Sequence, residues 1–137
     1  VSDMDLMNEI LLESLGIPFQ DKCHLTIVNG NGDEIPVDCE VPSTNEEKAQ
    51  GLMYRDELGK NNGMFFDSIE NGFWMKDVDI PLELIFIDGD EISEILPANP
   101  NDTTNISNNL PADSNLEVNQ GFCENNGISV GDKIYKS

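Results

Sequence analysis

The stretch "GFWMKDVDIPLELIFID", residues 72–88, decides the fold. In its second half Leu82, Leu84 and Phe86 share one strand face, and Ile85 and Ile87 share the other. A strand that is apolar on both faces is buried on both sides. Pro81 stands near its start, where a missing N–H is tolerated. "DGDE" (88–91) then turns the chain into "ISEIL" (92–96). Residues 80–88 are therefore expected as the central strand of a packed β body. In the first half a short strand is expected over 73–76. Phe73 and Met75 face one way, and Trp74 and Lys76 the other, and one pair must be core.

Upstream, residues 22–41 read as a hairpin. Cys23, Leu25 and Ile27 share one face, and Ile35, Val37, Cys39 and Val41 share the returning face. "NGNG" (29–32) is turn chemistry, because Asn and Gly accept positive φ. A turn centred on Asn31 sets Cys23 opposite Cys39, as two inward free thiols or a disulfide. Asn29, Asn31, Asp33 and Glu40 also hold EF-hand-like positions. Glu34 stands where that loop needs Gly, however, and no helices flank it. Ser43 with Glu46, or Thr44 with Glu47, can make a capping box for a short helix that Gly51 ends. "NNGMFF" (61–66) and "GDKIY" (131–135) read as short strands, with "LEVNQ" (116–120) and a short piece "GFCENNG" between them. Residues 97–115, rich in Asn, Pro, Ser and Thr, read as a long surface loop. It carries N-x-[ST] sequons at Asn101 and Asn105. No βαβ alternation is visible. The expected class is mainly β: a small antiparallel sheet or barrel-like domain with two or three short helices, spanning 18–137.

Residues 2–16 read as an amphipathic helix, separate from that body. Leu6, Ile10, Leu11 and Leu15 form one stripe, and Gly16 and Pro18 stop it. The stripe packs on its own domain or docks on a protein partner, a second copy included. The segment lacks a basic n-region, so it does not read as a signal peptide. A leader already removed is compatible with a chain that begins at Val1.

Charge bounds the function. Among 137 residues, 27 acids face 7 bases, giving a net charge of −20. Such a surface repels phosphate backbones and anionic headgroups, so neither direct nucleic-acid binding nor membrane binding is expected. No apolar run is long enough to span a bilayer. Three scattered cysteines and one histidine argue against a zinc site and for a reducing, cytosol-like setting. His24 and Cys23 are adjacent on a strand, so their side chains diverge and make no dyad. No catalytic constellation and no cofactor motif is recognisable. Asp77 and Asp79 with Asp88 and Asp90 form a candidate Ca²⁺ cluster at one sheet end. The scarce cations are more informative. Arg55, Trp74 and Lys76 are the candidate ligand site, a cleft able to hold an anion; alternatively they are ion-paired and structural.

"EEKAQGLMYRDEL", "GMFF", "FWMKDVDIPLELIFID" and "GISVGDKI" occur in that order. Together they resemble the domain of unknown function 192 family over residues 35–135. The resemblance implies a compact, mostly β domain and no activity. The family's members in phages imply a possible virion setting, such as a capsid-surface accessory protein. Two departures stand out: the short "IDGDE" turn, and the Asn-rich middle segment that replaces the family's Pro, Tyr and Cys. The leading expectation is a non-enzymatic interaction domain that docks through its N-terminal helix, in the cytoplasm or on a virion. The alternative is a domain that binds a small ligand, an anion or Ca²⁺ near Trp74, Lys76 and Arg55.

Overall fold

Period-2 alternation organises the molecule around one curved sheet. The structure is a computed structural model and describes residues 16–137. Its strands are β1 (Lys22–Val28), β2 (Glu34–Glu40), β3 (Asn62–Phe66), β4 (Leu82–Asp88), β5 (Glu91–Ala98), β6 (Ser114–Asn119) and β7 (Lys133–Lys136). Two short helices, α1 (Asn45–Gln50) and α2 (Phe122–Asn125), complete it. The strands run in the spatial order β1-β2-β3-β6-β4-β5-β7 and close into a ring. The closing seam is narrow: β5 meets β7 at Glu91 and Lys133.

The β1–β2 hairpin forms in the expected register, with Cys23 opposite Cys39 and both thiols free. Asn29 Oδ1 accepts from the backbone N–H of Asn31 and of Asp33 at 3.0 and 2.9 Å, and Gly32 sits at φ 82. This side-chain-built turn, not a cation loop, is the job of "NGNG". Thr44 and Glu47 form the capping box of α1, and Gly51 at φ 53 ends the helix.

One expectation needs refining. β2 and β3 run parallel, while the other pairings of the ring are antiparallel. A parallel neighbour needs a crossover of a dozen or more residues, and the segment carrying α1 provides it. The short strand expected over 73–76 is also absent. Only Phe73 pairs, in an isolated bridge to Ile106. The surface loop is shorter than 97–115, since β5 reaches Ala98 and β6 begins at Ser114.

β4 is buried on both faces, as its sequence requires. Ile85 and Ile87 point into the ring with Leu25, Val37 and Leu116. Leu82, Leu84 and Phe86 point outward, into a second cluster with Met64, Phe66 and Met75. Burying one such side chain is worth roughly 1.5–3 kcal/mol, so a strand paid on both faces anchors two layers at once. The outer layer exists because residues 67–81 and 99–113 cross the outer face of the ring. They are tied together by Met75 N–H to Asp102 O (2.8 Å) and Asn101 N–H to Val78 O (3.0 Å). The Asn-rich loop is thus a cover, with Ile106 packed on the outer cluster. The expected helix over residues 2–16 lies outside the described residues, apart from Gly16.

Candidate functional site

β6 reads "SNLEVN". Leu116 and Val118 point into the ring, so Asn115, Glu117 and Asn119 point outward. In an open sheet that face would meet water. Here Glu117 stands between Met64 of β3 and Leu84 of β4, under the outer cover. It is 6% exposed. Burial pushes its carboxyl from the ordinary 4.5 up to about 8. Among the described residues no ion pair reaches it. Asn115, two residues back on the same face, is wholly buried between Phe66 and Phe86, and its Oδ1 has no hydrogen-bond partner.

Glu117 lines a cleft of ≈ 520 Å³ between α1 and the segment 68–78. Phe66, Phe73, Met75 and Val78 supply apolar walls, and Trp74 stands at the mouth, 48% exposed. Phe66 and Phe73 meet edge to face at 5.2 Å between centroids, which fixes that wall. Gly51, at the end of α1, leaves the floor open. A Cβ there would lie 3.9 Å from Glu117 Oε1. Lys48 and Glu70 are the other charged residues of the lining. Apolar walls around a few buried polar groups, here Glu117 and Gln50, are the usual composition of a small-molecule site.

The three sequence-predicted ligand residues separate. Trp74 belongs to the cleft; Phe73 and Met75, not Trp74 and Lys76, are the pair turned to the core. Lys76 is exposed and stacks its ammonium 5.4 Å from the Trp74 ring, outside the lining. Arg55 is elsewhere. Its guanidinium donates to both carboxylate oxygens of Glu40 at 2.7 and 2.9 Å and lies over the Phe19 ring at 5.1 Å. Burial alone would raise the Glu40 carboxyl; the Arg55 hydrogen bond, the Phe19 N–H and the nearby charges more than offset it and hold it below the ordinary value. Arg55 is therefore a structural ion pair, and the expected anion cleft loses its guanidinium. The cleft's buried charge-bearing group is instead an acid, Glu117, which its sequence context of alternating "LEVN" concealed.

The aspartate cluster fails on geometry. Asp77 and Asp79 precede β4 and Asp88 ends it, so the two pairs sit at opposite ends of one strand. Among the described residues no group of His, Cys, Asp or Glu gathers closely enough to hold a metal. His24 is on the surface, hydrogen-bonded through Nδ1 to Asp38 at 2.6 Å, and Cys23 turns the other way toward Cys39. The partner-docking residues Leu6, Ile10, Leu11 and Leu15 lie outside the described residues.

Solved structures resemble this fold. A protein from Sinorhizobium meliloti 1021, named as a candidate transcription regulator, matches with a TM-score of 0.80 and 28% identity, over 88% of this chain and 96% of that one. A protein of unknown function from Novosphingobium aromaticivorans DSM 12444 matches with a TM-score of 0.76 and 34% identity, over 83% and 84%. No curated protein matches the chain. The sequence profile of the domain of unknown function 192 family, described as "Uncharacterized ACR", matches residues 26–135. With the motifs of α1, β3 and β4 all inside that span, the chain belongs to the domain of unknown function 192 family.

Proposed function

We propose that this protein is a non-enzymatic binding domain for a small, largely apolar molecule. The observation that supports this reading is the cleft of ≈ 520 Å³ with aromatic walls and a buried carboxyl group in its lining. Clefts of roughly 300–1,000 Å³ suit metabolite-sized ligands. The test uses Trp74, the sole tryptophan, as reporter at the mouth. A panel of amphipathic metabolites is titrated while Trp74 emission and the melting temperature are followed. A ligand present at about 100 times its Kd adds ~2.7 kcal/mol of stability. Ala49, exposed on α1 and part of the lining, is the control: Ala49→Phe narrows the mouth without touching the core and weakens binding at unchanged stability. A panel that moves neither reading overturns the proposal.

A second role is supported by a different feature. The sequence stripe Leu6, Ile10, Leu11 and Leu15 joins the body at Gly16, which packs against the Tyr54 carbonyl. Ile17 and Tyr54 are both exposed beside that junction, at 41% and 48%. This is an apolar surface on which a protein partner or a second copy could be gripped together with the stripe. Sedimentation of the full chain and of a chain lacking residues 1–15 tests it: equal mass and equal partner retention would remove the docking role. A virion setting for such a partner rests on the phage members of the family alone. Direct DNA contact, which the name of the Sinorhizobium protein invites, is disfavoured by the net charge of −20.

A further inference from the structure

The lining of the cleft specifies more than an apolar guest. Its buried acidic group is the Glu117 carboxyl, more than nine-tenths buried and flanked by Met64, Leu84 and Phe66, with the buried amide of Gln50 also in the lining. Protonated, as burial keeps it, the carboxyl accepts through its carbonyl oxygen; ionised beside a cation, it accepts through both oxygens. No cation among the described residues pairs with the Glu117 carboxyl, so this end of the cleft favours a guest that brings one. Lys48, the cation of the lining, sits on α1 within reach of solvent and makes no ion pair with Glu117. The aromatic walls add to the same preference, because ring faces attract a cation. The field of a chain carrying −20 draws cations toward any opening.

We infer that the cleft takes an amphipathic amine, its ammonium head on the Glu117 carboxylate and its apolar body between Phe66, Phe73 and Met75, with Trp74 closing over the tail. This rests on the small-molecule reading above and narrows it to one ligand class. It also reverses the polarity that Arg55 and Lys76 suggest from the sequence. The shape limits the class. A single buried carboxylate pairs with one ammonium, so a monoamine fits, whereas a polyamine would carry further charges into apolar walls without partners.

Three matched probes test it: 3-phenylpropylamine, 3-phenylpropanol and 3-phenylpropanoate. Each is titrated into the full chain at about 0.5 M NaCl, which screens the surface field but not a buried pair. Trp74 emission gives Kd. The amine is expected to bind tighter than the alcohol by about tenfold or more, with the acid weakest. In Glu117→Gln the amine and the alcohol become equal within about threefold, while alcohol binding persists. A second measurement needs no variant. The ¹³C carboxyl resonance of Glu117 at neutral pH moves to its ionised position on adding the amine and not on adding the alcohol. If alcohol or acid binds as tightly as amine in the native chain, the head-group assignment falls and the small-molecule reading stands. If the amine preference survives in Glu117→Gln, or the Glu117 resonance ignores the amine, Glu117 is not the seat. If none of the three probes moves Trp74, this inference falls, and the wider metabolite panel decides the fate of the reading beneath it.

Discussion

Glu40 and Glu117 carry the same carboxyl group, and their neighbours push it in opposite directions. Arg55 and the Phe19 N–H keep Glu40 ionised; burial keeps a proton on Glu117. The consequences for stability have opposite signs. For Glu117 the folded value, about 8, exceeds the ordinary 4.5, so the native state holds more protons between those limits. Its contribution is complete below pH 4.5 and is lost as pH rises toward 8. Lys48 and Glu70, the other charged lining groups, face it from α1 and from the cover. Glu117→Gln is expected to remove this loss, and the variant gains on the native chain by roughly 1 kcal/mol per pH unit crossed. Urea denaturation of both chains at pH 5 and pH 8 checks it; a gap that does not grow with pH would be the contrary result. For Glu40 the sign is reversed: its contribution is present above the ordinary 4.5 and is lost as pH falls through its lowered folded value. Glu40→Ala strands a buried guanidinium whose Nε already lacks a partner. A cost of about 3–5 kcal/mol is expected in the same measurement, because breaking one side of a buried pair leaves an uncompensated charge.

Among the elements, the parallel β2–β3 contact is the most exacting. Gly63 pairs with Cys39 there, and a Cβ on it would meet the Glu117 backbone oxygen and Leu116 Cδ1 at 2.8 Å each. Gly63→Ala is therefore expected to cost about 1–3 kcal/mol by overpacking, read from the denaturation midpoint at unchanged m-value. A midpoint equal to the native one would mean that β3 slides freely. Local rules explain why some elements were legible. The β1–β2 turn, the capping box of α1 and the two-sided β4 are each written in a few consecutive residues. The parallel crossover was not, because the strand that β2 meets is chosen by packing beyond a helix. The segment 73–76 has strand-like alternation, yet its partner is the Asn-rich loop, which has no periodicity to announce it.

At the scale of the whole molecule, the charge of −20 opposes compaction. Raising salt from about 0.02 M to 0.5 M is expected to raise the melting temperature, by roughly 2–4 °C for each kcal/mol of repulsion screened. A fall in melting temperature would instead place the dominant electrostatics in ion pairs such as Glu40–Arg55. The two similar structures share this fold, at TM-scores of 0.80 and 0.76. They assign no ligand, so the cleft is argued from its own chemistry.

The sequence by itself determined the β class, the hairpin register, the burial of β4 on both faces and the family, because these depend on period-2 patterning and short motifs. It identified Trp74 as worth watching, though not why. Only the tertiary structure decided that Arg55 is spent on Glu40, 15 residues away, and that Glu117 lies in a buried cleft. The physical reason is the cover. Asn115 and Glu117 occupy the face of β6 that alternation assigns to solvent, and residues 67–81 and 99–113 fold across it from far along the chain. A charge's partner and its exposure are long-range properties, and they turned a strand's ordinary polar face into the candidate site.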